Sequence, residues 1–230
     1  MKRNATIAIL ISTMLLAACH KREKVEEAPA AAATPAAAPA APAPAPVAAT
    51  PPAEQTAEQR DLARKQGLLD YGIMEDKYIN DPRAQWAADA KASSVFGDEN
   101  GKTPSEVNLA KNVVGPSDSR EWTNNNIDKG FDWIETTYAK PVNATEVRVI
   151  INGGAGVQAI NKVELQDVDG KWNTVWTGIS DVKADARGNR TWFVRTFEKT
   201  AYKAKAVKVT YANNLDHDYK KIDAIQLVGD

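Results

Sequence analysis

The run Val163-Glu164-Leu165-Gln166-Asp167-Val168-Asp169-Gly170-Lys171-Trp172-Asn173-Thr174-Val175-Trp176-Thr177 decides the fold class. Apolar Val163 and Leu165 alternate with polar Glu164 and Gln166, the period of a half-buried strand rather than a helix. Asp169-Gly170 then supplies the positive φ angles that close a hairpin, and a second β-prone run returns over residues 172–177. Asp167-Val168-Asp169-Gly170 also opens like an EF-hand loop, but the downstream Glu is missing, so the hairpin reading stands.

The same alternation recurs on both sides. Val147, Val149 and Ile151 interleave with Glu146, Arg148 and Ile150, and Val207, Val209 and Tyr211 with Lys208 and Thr210. With residues 90–96, 133–138, 192–197 and 222–227, the spacing predicts eight short strands and no helix of a βαβ unit after residue 84. The expected fold is therefore all-β: an eight-stranded antiparallel β-sandwich (jelly roll) over residues 84–230. If successive strands alternate in direction, the short connections 139–143, 168–171 and 198–204 share one end. The long polar ones, 97–130, 152–159, 178–189 and 213–220, share the other, with both ends of the domain opposite to them. Loops on a rigid scaffold are where binding concentrates. Trp133 and Trp192 are expected in the core, and Trp172 and Trp176, four apart on a strand, on one sheet face.

The N-terminal third reads differently. Lys2 and Arg3 precede an apolar run from Ala5 to Ala18, too short to span a bilayer, so residues 1–18 are expected to be a signal peptide. It ends in Leu16-Ala17-Ala18-Cys19, which resembles the bacterial lipobox. That resemblance implies cleavage before Cys19 and acylation of Cys19, giving a bilayer partner, and His20 in place of Asp favours the outer membrane. Residues 28–53 hold 15 Ala and 8 Pro, so 19–53 is expected to be a disordered, partly polyproline II spacer behind the anchor. Helix formers from Glu54 to Leu69 predict a short surface helix broken at Gly67 or Gly72, with a connector completing residues 54–83.

Trp86, Gly130-Phe131-Asp132-Trp133-Ile134-Glu135, the run from Lys140 to Val149 and the closing Lys221-Ile222-Asp223-Ala224-Ile225-Gln226-Leu227-Val228-Gly229 resemble the galactose-binding-like jelly roll. More narrowly, they resemble its discoidin-type (coagulation factor V and VIII C-domain-like) modules. The resemblance covers residues 84–230 and implies binding of carbohydrate, lipid head groups or protein through loops at one end. It departs from the family pattern at Ala110-Lys111-Asn112-Val113-Val114-Gly115-Pro116, in the first long loop.

Candidate ligand-binding residues follow from loop chemistry. Trp122, beside Asn124, Asn125 and Asn126, offers a stacking face for a pyranose, and Asn125, Asn213, Asp216 and His217 offer hydrogen bonds. Family members often carry a structural calcium, for which Asp98, Glu99 and Asn100 are weak candidates. No other cofactor is expected. Two His and one Cys exclude a Cys/His zinc site, and a net charge of -1 removes the footprint of a nucleic-acid binder. There is no Gly-x-Ser-x-Gly elbow, and Gly153-Gly154-Ala155-Gly156 opens no helix, so an enzyme is not expected. The expectation is an outer-membrane lipoprotein presenting a non-catalytic carbohydrate-binding module; the alternative is an adaptor holding an envelope protein by the same loops.

Overall fold

The computed structural model describes residues 55–230; the signal segment, Cys19 and the Ala/Pro tract lie outside the described residues. Ten strands follow one helix, α1 (Ala57–Ile79): β1 (Ala84–Trp86), β2 (Asp89–Ala92), β3 (Trp122–Thr123), β4 (Phe131–Asn152) and β5 (Ile160–Asp167). Then come β6 (Trp172–Thr177), β7 (Arg190–Thr196), β8 (Lys203–Ala212), β9 (Lys221–Ile222) and β10 (Ala224–Gly229). Every pairing is antiparallel, and the sandwich expected from the sequence is present. One layer runs β1-β10-β4-β7 and the other β2-β4-β8-β5-β6.

β4 belongs to both layers. Residues 133–138 and 146–151, expected as two strands, form one strand of 22 residues. Its register with β8 breaks between Thr137 and Val142, where Pro141 has no N–H to give a ladder, and there the chain crosses from one layer to the other. Val147, Val149, Val163, Leu165, Val207 and Val209 alternate inward to form the core, each contributing about 1.5–3 kcal/mol by leaving water. The hairpin between β5 and β6 is as expected, with Gly170 alone in the positive-φ region at 91°.

Two tryptophan expectations are corrected. Trp133 lies half-buried on the outer face of the β2-β4-β8-β5-β6 layer, because its neighbours Asp132 and Ile134 take the inward positions. Trp172 and Trp176 do not share a face. A bulge shifts the register between Val163 and Glu164, so Trp176 turns inward onto Phe193 while Trp172 stays outside with Gln166.

α1 is longer than the sequence suggests. Thr56 and Gln59 form a reciprocal capping box, and the helix continues through Gly67 and Gly72. Each interior glycine costs about 1 kcal/mol of helix propensity, offset here by packing. Met74 and Tyr78 cover Ile150, Trp192 and Ala224 on the outer face of the β1-β10-β4-β7 layer. Tyr71 shares its one hydroxyl proton between Glu75 and the Arg190 carbonyl, both at 2.8 Å, and burial and the Glu75 carboxylate push its pKa up to about 12. Gly188 lies so close that a Cβ there would overlap the Tyr71 ring.

The helix is pinned at its far end by Arg148, whose side chain is 3 % exposed. Its guanidinium donates to Asp81 at 2.8 Å, to Glu146 and to the Tyr78 carbonyl, and stacks 4.4 Å from the Tyr78 ring centroid. Burial alone would raise the Asp81 pKa; hydrogen bonds from Arg148 and Arg83 outweigh it and hold the carboxyl down at about 2. Because the folded pKa is depressed, this stabilisation is complete above the unfolded value of about 4 and disappears as pH falls through about 2. Amide exchange in residues 72–80 should accelerate across that window in the native protein, and Asp81→Asn should abolish the pH dependence.

The two ends of the β domain lie where the sequence places them, while α1 runs toward the opposite end. Ala84 and Asp230 do lie at the short-turn end. Gly67 and Tyr71, however, pack against Arg187 and Gly188 of the 178–189 loop at the long-loop end, and the ten helical residues before Gly67 are almost all exposed. Among the described residues no helix is long and apolar enough to cross a membrane.

Candidate functional site

The four long connections do gather at one end: those before β4 and β7, after β4, and between β8 and β10. Two buried charged groups hold them. Asp132, at the start of β4, points inward and accepts from Ser93 at 2.7 Å, Ser94 at 2.9 Å, Asn124 at 2.8 Å and Asn213 at 3.0 Å. Burial works against its ionisation, yet these hydrogen bonds win and keep its pKa below the usual carboxylate range.

Lys220 is the second. Its fully buried ammonium donates to the carbonyls of Ile127 at 2.6 Å, Asn213 at 3.1 Å, Asp218 at 2.6 Å, and Asp216. Burial pulls its pKa below the ordinary lysine value, while Asp216, Asp132, Asp218 and Asp128 pull it back. The two loops that carry the expected ligand contacts therefore close around an internal cation.

Against this frame the expected residues separate. Trp122 is fully buried, its Nε1 donates to the Ser94 carbonyl at 2.8 Å, and its ring lies 6.0 Å from Tyr211. It has no face left for a sugar, which corrects the expected stacking role: β3 pairing with β9 places Trp122 opposite the core residue Ile222. Asn213 is likewise buried, its amide spent on Asp132 and the Lys129 carbonyl. Both position loops from within the domain.

Asn125, Asp216 and His217 remain at the surface. Asn125 donates from Nδ2 to Asp98 at 2.6 Å, and Asp216 accepts from the Asp218 N–H at 3.2 Å. Asp98 spends its other oxygen on the Val95 N–H at 2.8 Å, so it closes a turn. Glu99 is exposed, and the Asn100 side chain lies outside the described residues. Among the described residues no three acidic, His or Cys side chains are arranged to hold a metal ion.

The sequence reading missed the aromatic surface that replaces Trp122. Phe96, 39 % exposed, and half-buried Tyr219 meet edge to face with centroids 4.8 Å apart, joining the first long loop to the last. Phe96 is held there by its N–H on the Thr123 carbonyl at 2.8 Å. Polar flanks drew attention to Trp122; Phe96 lay at the end of an expected strand and Tyr219 beside the acidic turn, with no spacing to connect them.

No protein-family model matches the chain, and no curated protein matches it. Among solved structures it is similar to chitosan-binding module 1 of a chitosanase/glucanase from Paenibacillus sp. IK-5: 17% identity, 62% of this chain and 96% of that one, TM-score 0.47. It is similar to a Clostridium perfringens module solved with GalNAc-β-1,3-galactose: 14% identity, 63% of this chain and 100% of that one, TM-score 0.44. A family 32 carbohydrate-binding module of Clostridium perfringens NanJ, solved with galactose, is similar at 14% identity, 63% and 98% coverage and TM-score 0.44. All three scores fall below one half, and the fold of this chain stands on its own strand pairing.

Proposed function

We propose that the protein is a non-catalytic carbohydrate-binding lipoprotein of the bacterial outer membrane, anchored through acylated Cys19 and contacting sugar with its long-loop end. The observation that supports the loop-end reading is the exposed Phe96–Tyr219 pair beside Asn125, Asp216 and His217. Aromatic edges and faces meet the apolar side of a pyranose, and the flanking amide, carboxylate and imidazole meet its hydroxyls. The Asp132 and Lys220 networks fix the loops beforehand, which cuts the entropy lost on binding. The lipobox-like Leu16-Ala17-Ala18-Cys19 supports the anchoring.

The test is a glycan array with the full-length protein, followed by Phe96→Ala and Tyr219→Ala. Either substitution is expected to weaken binding about tenfold, the loss of about 1.4 kcal/mol, with little change in thermal stability. Glycan binding that neither substitution alters would overturn the loop-end assignment. One observation favours an adaptor reading, though through α1 rather than through the loops expected from the sequence: Leu62, Leu69 and Ile73 form an exposed apolar stripe on the helix. An array without hits, together with an envelope protein whose co-purification needs that stripe, would select it.

A further inference from the structure

The two outer faces of the sandwich differ. α1 covers the β1-β10-β4-β7 layer, whereas the outer face of β2-β4-β8-β5-β6 carries exposed Phe131 and half-buried Trp133 and Trp172. Phe131 and Trp133 project from β4, Lys208 and Thr210 from β8, and Lys162 and Glu164 from β5. The ladder aligns them in rows: Trp133 opposite Thr210 opposite Lys162, and Glu135 opposite Lys208 opposite Glu164. All of these but Glu135 line an open depression of about 480 Å³, within the usual size of a small-ligand site. Phe131, 64 % exposed, is the most exposed aromatic ring among the described residues. At its edge, Asn161 keeps a buried side-chain oxygen without a hydrogen-bond donor.

Charge decides what this surface fits. The Lys208 ammonium sits 4.0 Å from the Trp172 ring centroid and 5.2 Å from that of Trp133. Its carboxylate contact, Glu135 at 3.4 Å, is already held by Lys91 at 2.8 Å. Lys162 and Glu164 neutralise each other at 3.0 Å. The depression is thus left with one undercompensated cation between two indoles. A protein partner would ask for a broad continuous apolar patch, whereas here Lys162, Glu164 and Lys208 border the adjacent Phe131 and Trp133 rings.

We propose that this sheet face is a second saccharide-binding surface, selective for an acidic sugar, with a pyranose ring on Trp133 and Phe131 and its carboxylate on Lys208. It is independent of the loop-end reading. The test is calorimetric titration of the full-length protein with tetragalacturonate and with the neutral galactotetraose, at low and raised salt. The uronate is expected to bind at least about tenfold more tightly than the neutral sugar, an advantage that shrinks with salt. Trp133→Ala and Phe131→Ala should each weaken uronate binding by about tenfold, and Lys208→Met should erase the preference for the acid. Phe131→Ala is the safer variant for folding, because its ring is mostly in solvent. Tyr219→Ala should leave uronate binding unchanged, so the failure of one site is told from the failure of the other. No uronate binding at concentrations on the order of 10 mM would overturn the proposal, as would binding indifferent to Phe131→Ala and Lys208→Met or abolished by Tyr219→Ala.

Discussion

Trp122→Ala is expected to destabilise the protein by about 3–5 kcal/mol, the range for emptying a buried aromatic site. The indole is fully enclosed, packs on Tyr211, and its Nε1 answers the Ser94 carbonyl. Removing it leaves a cavity beneath the loop end and strands that carbonyl, and the short β3–β9 ladder has only two residue pairs to resist collapse. Urea unfolding of the full-length protein measures the loss. A stacking Trp would behave oppositely, with unchanged stability and lost affinity. At temperatures where the variant remains folded, it should still bind glycan, weakened only by the loosening of the loops.

Lys220→Met should cost about 3 kcal/mol, since each buried acceptor left without a donor costs about 1–3 kcal/mol and relaxation recovers part of it. Methionine matches the four-atom apolar stem of lysine and lacks only its terminal nitrogen, so the change isolates the ammonium. Three N–H donors serve four carbonyls, so part of the attraction is charge on dipole rather than discrete hydrogen bonds. The damage should be local. Amide exchange should accelerate in residues 124–130 and 213–222, while the β4–β8 ladder keeps its protection. Lys220→Arg should fail too, because its larger planar head does not fit a cage shaped around a point charge. Uniform loss of protection across the domain would show that the ammonium does not act on the loops specifically.

How much of this could be read from residues alone depended on the range of the interaction. Strand alternation and the Asp169-Gly170 turn are local, and they led directly to the sandwich and to loops gathered at one end. The bulge in the β5–β6 ladder is not visible in an alternating run, so Trp172 and Trp176 were assigned to one face. Trp122 looked exposed because amides surround it in the chain; its burial depends on pairing with Lys221 and Ile222, about a hundred residues away. Lys220 looked like one more surface lysine beside Asp218 and Lys221, and only the return of the 124–130 loop creates its cage. Helix α1 outlasted its glycines because Tyr71, Met74 and Tyr78 found a sheet face to cover, a gain that propensity does not contain.

The strand shared by both layers has a consequence for how the domain comes apart. In a sandwich whose sheets are separate ribbons, one layer can fray while the other persists. Here the chain that leaves β8 as its neighbour in one layer becomes, a few residues later, the neighbour of β10 and β7 in the other. Neither layer can lose its central strand without pulling on its opposite number. Mechanical or thermal stress applied at α1 or at the loop end is therefore shared between both layers of hydrogen bonds, and the domain yields as one cooperative unit.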